Sequence, residues 1–513
     1  MLRWHTPPTF LSSASFFLPP SAGVIDLMSR YLSPERERLF RIFSVGFISL
    51  VAFESMAVTT AMPTVARAFN GQNLYALALG VVLAAQLMTT ALAGEWSDSK
   101  GPHSCLYTGV VLLTVGLTIC TISPSMEVFV AGRAIQGLGG GLIIVPFYTI
   151  VGNSVQPRRR PGFFTAFAAA WVLPSLFGPL LAGIIVEAMS WRWIFGFVPA
   201  TILLIGPFFF IGMNKIPDID RVKKPMNIRT MVVPAFGTGA LVACLQIMSG
   251  ATSHNARTFA IIGVCAFALV FCARPLFPRG TFRGVRGLPA TIATRVLLGT
   301  FTAIEMFLPL LLQDVHGWSP VEAGLILSVG SITWAVGSYF SGRITNAALR
   351  LRLPLWGSIT DAIGLALVLA GSHHALPGSL VILGWAIAGI GCGFAFPALS
   401  VHALACTSQA GQGRTSSALQ VADSMGTSLV AAIIGIIYSV ITPPQDIALM
   451  AGIAVSIALT IAGAVVASRI VPPAGSEAAA NLAESQRLSG VGPGGEKLSG
   501  SDMLSEEPGP GRN

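Results

Sequence analysis

The 513-residue sequence predicts an all-α polytopic membrane protein of fourteen spans, built as two six-helix halves with two inserted central helices. Three observations carry this reading. The composition is 53% apolar and only 10% charged, whereas a water-soluble domain carries about a quarter charged residues. Apolar stretches long enough to cross a bilayer recur along the whole chain. A glycine-rich segment near residue 132 returns near residue 384.

A helix crosses the hydrocarbon core with about 20 apolar residues. On that measure the spans run 41–66, 74–94, 104–122, 127–152, 162–187, 193–213, 230–249, 257–273, 288–313, 320–342, 354–371, 377–401, 415–441 and 446–469. The net charge of +9 is concentrated in the loops between them. Loops on the N-terminal side of this alternation hold Lys100, Arg158, Arg159, Arg160, Lys215, Lys223, Lys224, Arg279, Arg283 and Arg350 among others. The opposite loops hold Arg67, Arg192 and Arg257. Cytoplasmic loops carry such an excess, so both termini are expected in the cytoplasm, with the protein in the plasma (cytoplasmic) membrane. The charge therefore belongs to a lipid-bilayer topology and not to nucleic-acid binding. The seven cysteines lie singly in or beside apolar stretches and read as small buried hydrophobes. Neither metal, cofactor nor obligate protein partner is implied.

The organisation that follows is a cytoplasmic N-terminal segment 1–40, partly disordered, with Met28 as an alternative start. Then come a six-helix bundle 41–213, a linker 214–287 carrying the two extra helices, and a second six-helix bundle 288–470. A tail 471–513, rich in Gly, Ser, Glu and Pro, is expected to be disordered.

The segment "GRAIQGLGGGLIIVP" (132–146) has a counterpart in "GWAIAGIGCGFAFP" (384–397). At an offset of 252, Gly132, Gly137, Gly139 and Gly141 meet Gly384, Gly389, Gly391 and Gly393, and each copy ends on a proline. The same offset relates Glu54 in the first span to the neighbourhood of Glu305 in the ninth. No β-strand precedes the glycines and no Gly-Lys-Ser/Thr follows, which excludes a phosphate-binding loop. Glycines spaced this way let helix backbones approach closely. Two parallel six-helix repeats around a cavity form a transporter architecture.

Several stretches together resemble the major facilitator superfamily, in particular its fourteen-helix drug:proton antiporter branch, over about 41–470. "GEWSDSKGPH" (94–103) is similar to the superfamily's loop pattern G-x-L-A-D-R-x-G-R-K through Gly94, Asp98 and Gly101. Ser99 replaces the arginine, and Lys100 stands in the next position. "GRAIQGLGGG" matches the fourth-helix motif R-x-x-Q-G-x-G at Arg133, Gln136, Gly137 and Gly139. "PSLFGPLLAG" (174–183) resembles the antiporter pattern G-x-x-x-G-P-x-x-G-G at Gly178, Pro179 and Gly183, with Pro174 and Ala182 in place of glycines. "FESMAVTTAMP" (53–63) resembles L-D-x-T-x-V-N-x-A-L-P, with Glu54 where the family has Asp. "SWRWIF" and "LPLLLQDVHGWSPVEAGL" (308–325) are similar to the entries of the sixth and tenth spans. The resemblance implies a major facilitator fold, a small-molecule substrate, coupling to protons, and export.

Coupling needs a group that loads a proton on one side and unloads it on the other, and a carboxyl in a low-dielectric site is suited to this. Glu54, Glu305, Asp361 and Asp423 are the acids within spans. Glu54 ranks first because it matches a motif and because Arg133, costly in a membrane unless paired, is a ready partner. Glu305 follows through the repeat, then Asp423; Asp361 ranks last. Met56, Gln86, Trp171, Met306, Phe307, Trp334, Phe394 and Phe396 are candidate linings of a substrate cavity. The leading expectation is a proton-coupled exporter of the drug or multidrug type. Alternatives are an exporter of one endogenous metabolite or lipid, an uptake symporter, or a non-transporting membrane receptor. An enzyme is not expected, because no nucleophile, base or metal cluster is present.

Overall fold

The computed structural model describes residues 32–156, 159–214, 216, 229, 232–249, 255–344, 346–373, 376–407, 412–441 and 445–488, and every regular element among them is helical. In chain order these are α1 (Pro34–Ala68), α2 (Tyr75–Lys100), α3 (Pro102–Ile122), α4 (Met126–Gly141), α5 (Ile144–Ser154), α6 (Arg160–Ala188), α7 (Arg192–Asn214), α8 (Val233–Ser249) and α9 (Ala256–Ala273). There follow α10 (Leu288–Leu297), α11 (Gly299–Val315), α12 (Pro320–Arg343), α13 (Ala347–Gly371), α14 (Ser379–Ala405), α15 (Gln412–Val440), α16 (Gln445–Ala467) and α17 (Glu477–Leu488).

Among the described residues, thirteen helical segments are long and apolar enough to cross a membrane, with α4–α5 and α10–α11 each acting as one. Of the expected seventh span, 230–249, the described helix Val233–Ser249 has 17 residues, and residues 230–231 and 250–254 beside it lie outside the described residues.

Local chemistry accounts for the element boundaries. α1 begins seven residues before the expected position 41, because Pro34 is suited to the first helical turn and Glu35 and Glu37 favour it electrostatically. The fourth span breaks at Leu142–Ile143. The ring of Pro146 collides with the carbonyl four residues earlier, that of Leu142, and offers it no N–H. α12 starts on a capping box in which Ser319 and Glu322 exchange hydrogen bonds, with Pro320 following. One expectation is corrected. The composition of the tail 471–513 predicts disorder, yet its Glu477–Leu488 stretch, rich in Ala, Glu and Leu, is helical and packs on α14. The alternative start at Met28 and residues 489–513 lie outside the described residues.

The sequence repeat reappears as matching close contacts. The Gly139 backbone lies against Leu113 and Gly109 of α3, and that of Gly391 against Asp361 and Gly357 of α13. Gly116 meets Gln136 and Gly132, while Gly364 meets Ala388 and Gly384. Gly137 rests on Val82 of α2, and Gly389 on Gly330 of α12. The offset is 252 between α4 and α14, but 248 between α3 and α13, which pairs Gly109 with Gly357, Leu113 with Asp361 and Gly116 with Gly364.

The two halves meet along α1–α11, α6–α12 and α2–α15. The inserted α8 covers the α2–α15 seam, touching both helices, and α9 packs outside α8. Gly239 brings α8 against Ala84 and Met88, and Gly80 brings α2 against Gln246. Side chains such as Ile122, Leu203, Leu204, Val264 and Phe267 are exposed, as expected of a surface solvated by lipid.

At the end of the bundle where α1 begins and α16 stops, here called the terminal end, Leu32 N donates to Ser154 O and Arg159 pairs with Glu37 at 2.9 Å. His402 meets Ile470 O there as well. At the far end Arg67 of α1 bridges to Asp314 of α11 at 2.8 Å and to the Gln313 amide oxygen at 2.5 Å. Gly183 lies against Pro320 and Val321, and Gly324 against Pro179, so α6 and α12 touch at this end. Toward the terminal end the same two helices diverge. A gap of about 620 Å³ separates Ser175 and Leu176 from Ser331, Ile332, Tyr339 and Phe340.

Candidate functional site

α1 and α4 place the first ion pair. Glu54, Arg133 and Gln136 are all buried. Arg133 Nη1 donates to Glu54 Oε1 at 2.6 Å and to Gln136 Oε1 at 2.6 Å, and its Nε donates to the Ala78 carbonyl at 3.2 Å. The Phe195 ring lies 5.9 Å from the guanidinium. Desolvating two charges costs several kcal/mol each, and only close, fully hydrogen-bonded geometry offsets it. Here one carboxylate, one amide and one carbonyl share the guanidinium. Gln136 lies one turn along α4 from Arg133, and the glycines behind it carry the packing: Gly137 against α2 and Gly139 against α3. The fourth-helix motif therefore divides into a polar face and a packing face.

A second pair sits in the other half. Arg295 of α10 clamps Asp423 of α15 through Nε–Oδ1 at 2.5 Å and Nη2–Oδ2 at 2.9 Å. Its Nη1 donates to the Phe396 carbonyl at 2.7 Å and to Ser400 Oγ at 3.1 Å, and the guanidinium lies 4.2 Å from the Phe396 ring centroid. Arg295 is not among the candidates that the sequence motifs single out. A signal for it exists all the same: an arginine inside an apolar stretch needs an acidic partner, and Asp423 is one of only four acids that lie away from the ends of the spans.

Glu305, on α11, is half-buried, and no hydrogen bond or ion pair joins it to Glu54 or any other described residue. One turn earlier on the same helix, Phe301 stacks on Trp385 at 4.2 Å and contacts Trp334, which packs on Phe396. The repeat partner of Arg133 is thus an aromatic wall. Asp361 of α13 is completely buried, and neither carboxyl oxygen has a hydrogen-bond partner among the described residues.

The remaining candidates separate by position. Gly94, Lys100 and Gly101 lie at the terminal end, where α2 stops, and Gly101 adopts φ +93° to start α3. Lys100 reaches over the Trp96 ring; the Asp98 side chain lies outside the described residues. Gly178 faces Met56 and Phe53 of α1, whereas Pro179 and Gly183 face α12. The antiporter-like motif therefore forms the contact between halves. Met56, Gln86, Trp171, Met306, Trp334 and Phe394 are half-buried. Phe307 is buried against Tyr75, whose hydroxyl donates to the Met306 carbonyl at 2.7 Å; its position is that of a packing residue at the seam.

The described geometry agrees with known proteins. The profile of the Major Facilitator Superfamily matches residues 42–375 and 306–495. The chain is 26% identical over 370 residues to Multidrug resistance protein 3 of Bacillus subtilis, covering 70% of this chain and 71% of that one. It is 26% identical over 434 residues to MFS transporter L2 of a Phoma species, covering 79% and 72%. Among solved structures, an inward-facing bacterial homolog of the human lysosomal transporter Spinster aligns with TM-score 0.61 at 13% identity, covering 88% of this chain and 98% of that one. A D-xylose–proton symporter aligns with TM-score 0.60 at 14% identity, covering 84% and 98%. An all-helical bundle with matched glycine contacts in its two halves, a charge pair inside each half and this profile match lead to one assignment: the chain is a member of the Major Facilitator Superfamily.

Proposed function

We propose that the protein is a proton-coupled exporter of small molecules, of the fourteen-helix drug:proton antiporter type, working by alternating access with both termini in the cytoplasm. The buried Glu54–Arg133–Gln136 cluster carries this reading. A proton on Glu54 removes the charge that Arg133 pairs with, leaving the guanidinium to Gln136 and the Ala78 carbonyl. Binding at the cavity and protonation then compete for one electrostatic balance. Relatives named as multidrug-resistance and efflux proteins support export. The α6–α12 seam, closed at the Arg67–Asp314 end and gapped at the terminal end, supports an inward-open arrangement, with Gly178, Pro179 and Gly183 at the pivot. The half-buried aromatic surface of Trp334 and Phe394 suits lipophilic cargo.

The test is ethidium transport driven by a pH gradient in inside-out vesicles. Glu54→Gln keeps a hydrogen-bonding group against Arg133, so the protein stays folded, and gradient-driven ethidium transport falls to background. Undiminished proton-driven transport in that variant overturns the assignment of Glu54.

A further inference from the structure

We infer that Asp361 is an occluded proton-binding site in the C-terminal half, separate from Glu54 and Arg133. The internal repeat supports this. Gly391 lies against the backbone of Asp361 and Gly357 as Gly139 lies against that of Leu113 and Gly109. Asp361 therefore occupies the place that Leu113 fills in the first half, and Leu113 is itself buried in the core. Packing at this helix crossing asks for a leucine, not an acid.

No described residue forms an ion pair or hydrogen bond with the acid's side chain. It has no exposed surface, and both carboxyl oxygens lack a hydrogen-bond partner among the described residues. The helices packed against α13 are chiefly α14 and α16. α14 supplies the Cys392 thiol beside it, with His402 two turns and more away along the helix. α16 carries only Asp446, at its start. On α13 itself, Arg350 and Arg352 lie at least nine residues away. An unpaired carboxylate in a dry site costs several kcal/mol, and a proton removes that cost. A metal ion would need about six oxygen ligands, and no group of three His, Cys, Asp or Glu that could hold one exists among the described residues.

The helix of the partly buried Glu305, α11, contacts α14, on which Gly391 seats Asp361. A proton passing from the Glu305 carboxyl to the Asp361 carboxylate leaves Glu305 as the anion. The glycine-lined α13–α14 crossing then shields the loaded site from water. This extends the proton-coupling reading, but its test does not depend on any transported substrate.

The experiment uses the purified full-length protein in detergent and the proton alone as probe. Infrared absorption in the carboxylic-acid C=O region is combined with counting of protons released when the pH is stepped upward. Asp361→Leu restores the residue of the repeat partner and keeps a thermal midpoint at or above that of the parent; Asp361→Asn is the isosteric control. Both variants are expected to lose a carboxylic-acid band of a non-hydrogen-bonded group and to release one proton fewer than the parent. Glu54→Gln keeps that band, so failure of the Glu54 assignment and failure of this one are read separately. A band that persists in Asp361→Leu overturns the inference, and so does an unchanged proton count.

Discussion

Arg295 shows how strongly single residues can be committed in a bundle of this kind. Its guanidinium is shared between Asp423, the Phe396 carbonyl and Ser400, so truncating either ionic partner strands a charge in a low-dielectric site. Because the Asp423 side chain is 30% exposed, Asp423→Ala is expected to cost about 1–3 kcal/mol, read as a lower thermal midpoint in detergent. The double variant Arg295→Met/Asp423→Leu is expected to recover most of that loss, because no unpaired charge remains. A double variant as unstable as the single one would count against the pair as the source of the loss. Glu54 and Arg133 obey the same physics. Their partnership is readable from the sequence because both residues stand in recognisable motifs, whereas Arg295 stands in none and its acid lies 128 residues away.

At the scale of elements, glycine spacing decides how helices cross. A Cβ at Gly139 would enter the backbone of Leu113 and Gly109, and one at Gly391 would enter that of Asp361 and Gly357, whereas a Cβ at Gly140 meets open space. Gly139→Ala and Gly391→Ala are each expected to destabilise by about 1–3 kcal/mol. Gly140→Ala should be neutral or stabilising by up to about 1 kcal/mol, from helix propensity alone. Thermal melts of the three variants side by side check this, and equal effects at 139 and 140 would contradict it. This packing face is legible in the sequence because small residues at regular spacing have few other uses in a membrane helix. One element is not legible there: α17 follows from Ala, Glu and Leu propensities inside a tail whose overall composition suggests disorder.

For the whole molecule, the decisive feature is asymmetry between the two ends of the α6–α12 seam. The Arg67–Asp314 bridge is partly exposed, and such pairs contribute about 0.2–1 kcal/mol. Under the proposed alternating access, Asp314→Asn is expected to shift the balance between the two closures by up to about fivefold. Maleimide labelling of Ser331→Cys, a position lining the gap, should fall when Asp314→Asn is added, by at most that factor. Unchanged labelling would mean that the bridge does not bias the seam. The inserted α8 acts at this scale too, since it covers the α2–α15 seam, whereas the α6–α12 seam carries the gap at one end.

The sequence by itself determined the class, the recurrence of apolar segments along the chain, the repeat and the identity of the Glu54–Arg133–Gln136 motif. These follow from composition, span length and local spacing, which are properties of the chain before it folds. Tertiary structure alone decided which acids are paired and which are not. It joined Asp423 to Arg295, left Glu305 on a half-open surface, and enclosed Asp361 where the other half holds Leu113. Pairing inside a bundle depends on helix rotation and on crossing points set by contacts between distant segments, and no single stretch of sequence records them.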